Sequence, residues 1–161
     1  MPAPRIAALI ARLEKGRTKT QQVFTALQPE QWSWTLYPGP PQWDLLDLLA
    51  HLVSAEENLL ELARDVASGG QGVAAGFDYD GFNAREQQRL SAVPAEELLA
   101  RLDRARRATL QWVSALDEAQ LDRIGRHPGL GEVTLEVMIT AMYGHPLLHM
   151  RDLQARLGRG R

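Results

Sequence analysis

The chain has 161 residues, 45% hydrophobic and 24% charged, a composition that suits one domain, residues 1–161, around a single core. Its formal charge of -2 leaves no broad basic surface for a phosphate backbone, although the final RLGRGR is locally cationic, so nucleic acid is not an expected partner. No apolar run approaches the roughly 18 residues of a membrane span, and without cysteine there is no disulfide, thiolate nucleophile or sulfur ligand; a cytoplasmic protein with no membrane contact is expected, and any metal in it must use nitrogen and oxygen.

The first element spans about Pro4 to Leu27, where Ile6, Leu9, Ile10, Leu13, Thr20, Phe24 and Leu27 recur at helical spacing. The stretch WSWTLYPGPPQW, residues 32–43, is too stiff and irregular for a helix and reads as a connection, serving either as a lid on the core or as an exposed apolar surface for a dimer. From Trp43 a second helix carries Leu48, Leu52, Ala55, Leu59, Leu62 and Val66 and stops at Gly69 and Gly70. A glycine-rich crossover with a short helix from about Gly81 to Leu90 follows. A third long helix runs from about Ala95 to Leu116, with Pro94 at its start, Glu96 and Glu97 in its first turn, and Leu98, Leu102, Ala105, Thr109, Val113 and Leu116 along one face. Thr134 caps the last, whose stripe is Leu135, Met138, Met142, His145, His149, Leu153 and Leu157. With no strand pattern, the expectation is an all-α protein: an up-down four-helix bundle with a long crossover between helices two and three.

Three histidines fall on apolar helix faces. His145 and His149, in YGHPLLHM, are one turn apart on one side of the last helix, and His51 lies among leucines in LLAHLVSAEENLL. If these helices are neighbours, the three can offer nitrogen ligands to one ion with coordination positions left open; equally, each can be a core histidine bonded to a carbonyl or carboxylate. Asp152, three residues past His149, is a candidate to orient its ring, and Asn58, two turns past His51, to line a cavity. Glu56 and Glu57 read as solvent-facing carboxylates, His127 before Pro128 as an exposed loop residue, and the run Arg101, Arg104, Arg106 and Arg107 as a solvated helix face. Gly16 and Thr20 replace large residues in helix one, opposite Ala105 and Thr109, and are candidates to shape a substrate pocket.

WDLLDLLAHLVSAEE, with Trp43 and His51, HPLLHMRDL, with His145 and His149, FDYDGFNA around Asn83, and HPGLGEVTLEVMI together resemble the DinB/YfiT-like metalloenzyme family over essentially the whole chain. The resemblance implies a four-helix bundle, often a homodimer, with a divalent ion on His51, His145 and His149; the three-imidazole donor set suits zinc or nickel. It also implies a small-molecule substrate, handled by transfer of a low-molecular-weight thiol or by hydrolysis; the alternative is a metal-binding or stress-response dimer without turnover. Many relatives have an acidic residue and a further histidine where this chain has Pro146 and Leu148, and Pro146 should bend the helix by removing the amide that would bond the Met142 carbonyl.

Overall fold

The computed structural model describes residues 3–158, so the end of the cationic tail lies outside the described residues. Its helices are α1 (Pro4–Thr25), α2 (Leu45–Ala67), α3 (Tyr79–Leu90), α4 (Ala95–Ser114) and α5 (Leu135–Gly158). The ends are set by local chemistry. Pro4 opens α1, where a missing amide costs nothing. Asp44 and Asp47 close a capping box on α2, each carboxylate accepting from the other residue's backbone N–H. Gly69, at φ +96°, turns the chain out of α2. Asp78 caps α3 through the Gly81 amide, which starts that helix two residues ahead of its expected position.

Both α1 and α2 pack against α4 and α5. One apolar layer unites Ile6 and Leu13 with Val66, Val113 and Met138; a second unites Phe24 with Leu48, Leu98 and Leu153. The start of α1 therefore lies beside the ends of α2 and α4 and the start of α5. Helices α1 and α5 run one way, α2 and α4 the other. Two successive long helices can point the same way only if the chain travels back along the bundle between them. Residues 68–94, with α3 against α2, make that return. This is the expected all-α four-helix bundle with its long crossover. No helix among the described residues is long and apolar enough to cross a membrane.

Two short hairpins depart from the expectation of no strands. Strands β1 (Thr35–Tyr37) and β2 (Trp43–Asp44) pair within the tryptophan-rich connection, and β3 (Ile124–His127) pairs with β4 (Gly131–Thr134) before α5. Both are too short to show alternation. The connection leading into the first covers the core: Trp32 stacks on Phe24, with centroids 5.8 Å apart, and the Arg156 guanidinium lies 4.6 Å over Trp34. The second lies so close on α2 that a Cβ at Gly125 would sit 2.3 Å from Val66.

Between the two apolar layers lies a belt of polar atoms, and here two expectations are corrected. Glu56 does not face solvent and Arg106 is not on a solvated face; their side chains are 2% and 6% exposed and form a two-pronged ion pair at 2.8 and 2.6 Å. Thr109 donates to the same carboxylate at 2.6 Å. Arg106 also donates to the carbonyls of Leu13, at 3.2 Å, and Met142, at 2.9 Å. The second contact answers the question raised by Pro146. Helix α5 continues through the proline, and the carbonyl that has lost its helical amide is satisfied from α4 instead. Glu57, Arg104 and Arg107 meet the expectation better: Glu57 is half-buried against Arg101, while the other two are exposed.

Candidate metal centre

The belt holds the three histidines. The antiparallel course of α2 and α5 places His51 opposite the turn that carries His145 and His149, and one nitrogen of each falls within 4.8 Å of the others. The Nε2 atoms of His51 and His145 are 3.1 Å apart, and those of His145 and His149 3.0 Å. The Trp43 ring covers His51 at a centroid distance of 4.9 Å.

The surroundings decide where the protons sit. Tyr37, brought in by β1, has one hydroxyl hydrogen and donates it to Asp152 at 2.9 Å, so its 2.8 Å contact with His149 Nδ1 must use the ring's N–H. Its own pKa is pushed up by burial and then by Asp152. That tautomer leaves His149 Nε2 with a bare lone pair facing its two neighbours. Two N···N contacts converge on His145 Nε2, which offers either one hydrogen or one lone pair, so only one of the two can be a hydrogen bond. A cation accepting all three lone pairs removes the conflict, and in this respect the residues fit a metal. Burial, reinforced by mutual repulsion, pushes His51 down to about 3 and His145 down to about 4; burial also lowers His149, against the opposing pull of Asp152. All three rings are therefore neutral near pH 7, the form that can ligate.

A cavity of about 600 Å³ opens beside His51 and His145, between α2, α5, α3 and the β3–β4 hairpin. Asn58 is among its lining residues, with its amide on the Ser54 carbonyl at 2.9 Å. Gly16 and Thr20 are not part of it. The Cβ that Gly16 lacks would meet Tyr143 at 3.2 Å, so the glycine admits a neighbouring ring, and Thr20 borders only a hole of about 20 Å³, room for a single water. His127 is corrected as well. It ends β3, is half-buried and lines the cavity. Asp152 reaches His149 through Tyr37, not directly.

Tyr37 and Ser54 carry no site signal in the sequence, whereas Glu56, Arg106 and His127 read there as exposed. For Glu56 and Arg106 the signal existed: position 56 continues the Leu52 and Leu60 face, and position 106 lies between Leu102 and Thr109 on the buried side of α4. For Tyr37 there was none, since its reach depends on a hairpin fold with no periodicity.

A mycothiol-dependent maleylpyruvate isomerase superposes with a TM-score of 0.75 at 13% identity; the match covers 92% of this chain and 60% of the isomerase, whose length the present chain thus spans only in part. YfiT from Bacillus subtilis, described as "a probable metal-dependent hydrolase with an unusual four-helix bundle topology", superposes at 0.73 with 16% identity, covering 98% of this chain and 90% of that one. The colibactin self-resistance protein ClbS, solved with double-stranded DNA, does so at 0.69 with 16% identity, covering 92% and 94%. At these identities the likeness concerns the fold. No curated protein sequence matches the chain. The sequence pattern of the DinB superfamily, however, matches residues 12–153, most of the bundle and all three histidines, and the chain belongs to that superfamily.

Proposed function

We propose that the protein is a metal-dependent enzyme that holds a divalent ion, zinc or nickel, on His51, His145 and His149 and acts on a small molecule by thiol transfer or hydrolysis. The observation that carries this reading is the convergence of three neutral imidazole nitrogens, one of them (His149) bare by the Tyr37–Asp152 arrangement, beside a cavity of about 600 Å³ that His51 and His145 line. A bound ion would supply Lewis acidity and lower the pKa of a water or thiol beside it. The chain's own part is positional. Tyr37 and Asp152 hold the His149 proton on Nδ1, and Trp43 shields His51 from water. Ser54 directs its hydroxyl proton to Glu86 at 2.8 Å, and Glu86 is kept in its charged form chiefly by Arg89.

The dependence of the isomerase on mycothiol and the description of YfiT as a hydrolase support the two chemistries equally. Binding of double-stranded DNA, as in the ClbS complex, is disfavoured by this chain's net charge of -2. Titrating cobalt-substituted protein with low-molecular-weight thiols separates the alternatives. An intense sulfur-to-metal charge-transfer band is expected for thiol transfer, whereas metal-dependent turnover of small esters or amides without that band indicates hydrolysis. Neither response, with the ion bound, leaves a metal-binding protein without turnover.

Tyr37→Phe tests the positional argument. It removes the acceptor that fixes the His149 tautomer and should weaken ion binding about 10–100-fold without unfolding the bundle, as measured by competition with a chromogenic chelator. An unchanged affinity would show that Tyr37 does not set the ring.

A further inference from the structure

The wall of the 600 Å³ cavity has an unusual composition for a site beside a candidate dication. Among the described residues, no lysine, arginine, aspartate or glutamate lines it. The charges nearby are engaged with each other: Glu86 with Arg89, and Arg126 with Glu132. Phe77, Phe82 and Leu59 supply its interior, and Leu130 and Leu148, both more than half exposed, carry the apolar surface out to its mouth. Away from the ion, a charged group entering here would lose its hydration without gaining a counter-charge from the wall, while an apolar group gains in proportion to the area it buries.

His127 adds a directional element. Its Nδ1 accepts from the Gly129 amide at 3.1 Å within the β3–β4 turn, which puts the ring hydrogen of the neutral imidazole on Nε2. That Nε2 is buried and has no hydrogen-bond partner. An unsatisfied buried donor is costly and calls for an acceptor. We infer that the substrate held beside His51 and His145 has an uncharged, largely apolar body and carries a carbonyl oxygen that accepts from His127 Nε2–H. The inference rests on the metal reading only for the reacting end of the substrate; the body is specified by the wall. It also distinguishes the two partners of a thiol reaction: a thiol rich in carboxylates finds no counter-charge in this cavity, whereas a neutral aryl or alkyl carbonyl compound fits it.

Hydroxamates with one head and different tails provide the test, bound to zinc-loaded protein and followed by calorimetry. Phenylbutyrohydroxamate should bind at least about tenfold more tightly than acetohydroxamate, and suberic acid monohydroxamate, with a terminal carboxylate, no more tightly than acetohydroxamate. Benzoylpropionohydroxamate, which places a ketone within a tail of the same length, should lose about tenfold in His127→Phe, while phenylbutyrohydroxamate is unaffected. Equal affinity for the phenyl and carboxylate tails with zinc bound would overturn the inference, as would indifference of the ketone to His127→Phe. Uptake of the neutral dye Nile red by metal-free protein and by His51→Ala reads the cavity without the ion. Failure of the wild-type protein to bind zinc would remove the metal reading, and dye uptake that persists there would leave this inference standing; absence of dye uptake by both metal-free forms would overturn it.

Discussion

Glu56→Ala is expected to destabilise the protein by about 3–5 kcal/mol, a large part of the roughly 5–15 kcal/mol that holds a domain of ordinary stability together. The substitution does more than delete two hydrogen bonds. It strands the Arg106 guanidinium between two apolar layers, where its remaining partners are the carbonyls of Leu13 and Met142, and it leaves the Thr109 hydroxyl with only the Ala105 carbonyl, at 3.2 Å, as acceptor. Replacing both members of the pair, Glu56→Leu with Arg106→Met, should recover much of the loss, because no isolated charge then stays buried. Thr109→Val, which removes one hydrogen bond and keeps the shape, should cost only about 1 kcal/mol. Urea denaturation of the four proteins measures all of these differences. A cost below about 1 kcal/mol for Glu56→Ala would mean that the pair is hydrated and not buried.

The second large effect concerns the ion. Changing His51, His145 or His149 to Ala should each reduce metal content, measured on protein purified without an affinity tag, from near one ion per chain to background. Full occupancy in all three variants would end the metal assignment. Acid should act on the same atoms. Without metal, His51 is pushed down to about 3, while the unfolded chain takes up its proton near the ordinary imidazole value of 6.5. Between those values the unfolded state binds a proton that the native state refuses, so stability falls as pH falls. His51 alone contributes a loss of about 2 kcal/mol on going from pH 6.5 to pH 5, and His145, pushed down to about 4, adds to it. Because the folded rings resist protonation, bound metal should be released only well below pH 6. Release beginning at pH 7 would contradict the burial of the site.

How much of this could be read from the residues alone depended on whether a feature was periodic. The four long helices and the three histidines were legible because each repeats a helical spacing over several turns, and the family motifs reinforced the same positions. The hairpins were not, since IGRH and GEVT carry no alternation and gain their pairing from the helix beneath them. Glu56 and Arg106 were misjudged for a different reason. Residue type argues for solvent while position argues for the core; a carboxylate and a guanidinium on facing buried stripes of two helices neutralise each other's desolvation. Gly16 was misjudged because a missing side chain looks the same in sequence whether it leaves a void or, as here, admits the Tyr143 ring.

The polar belt also determines how the helices are aligned along their axes. Leucine-rich faces alone tolerate sliding, because a helix displaced by one turn, about 5.4 Å, still meets apolar neighbours. With the belt present, a one-turn slip of α4 would carry the Arg106 guanidinium into a leucine layer, empty the bond to the Glu56 carboxylate, and leave the Met142 carbonyl facing nothing. The same slip between α2 and α5 would part His51 from His145. The ion pair thus works as a notch that admits one alignment, and the spacing of the three imidazoles follows from it.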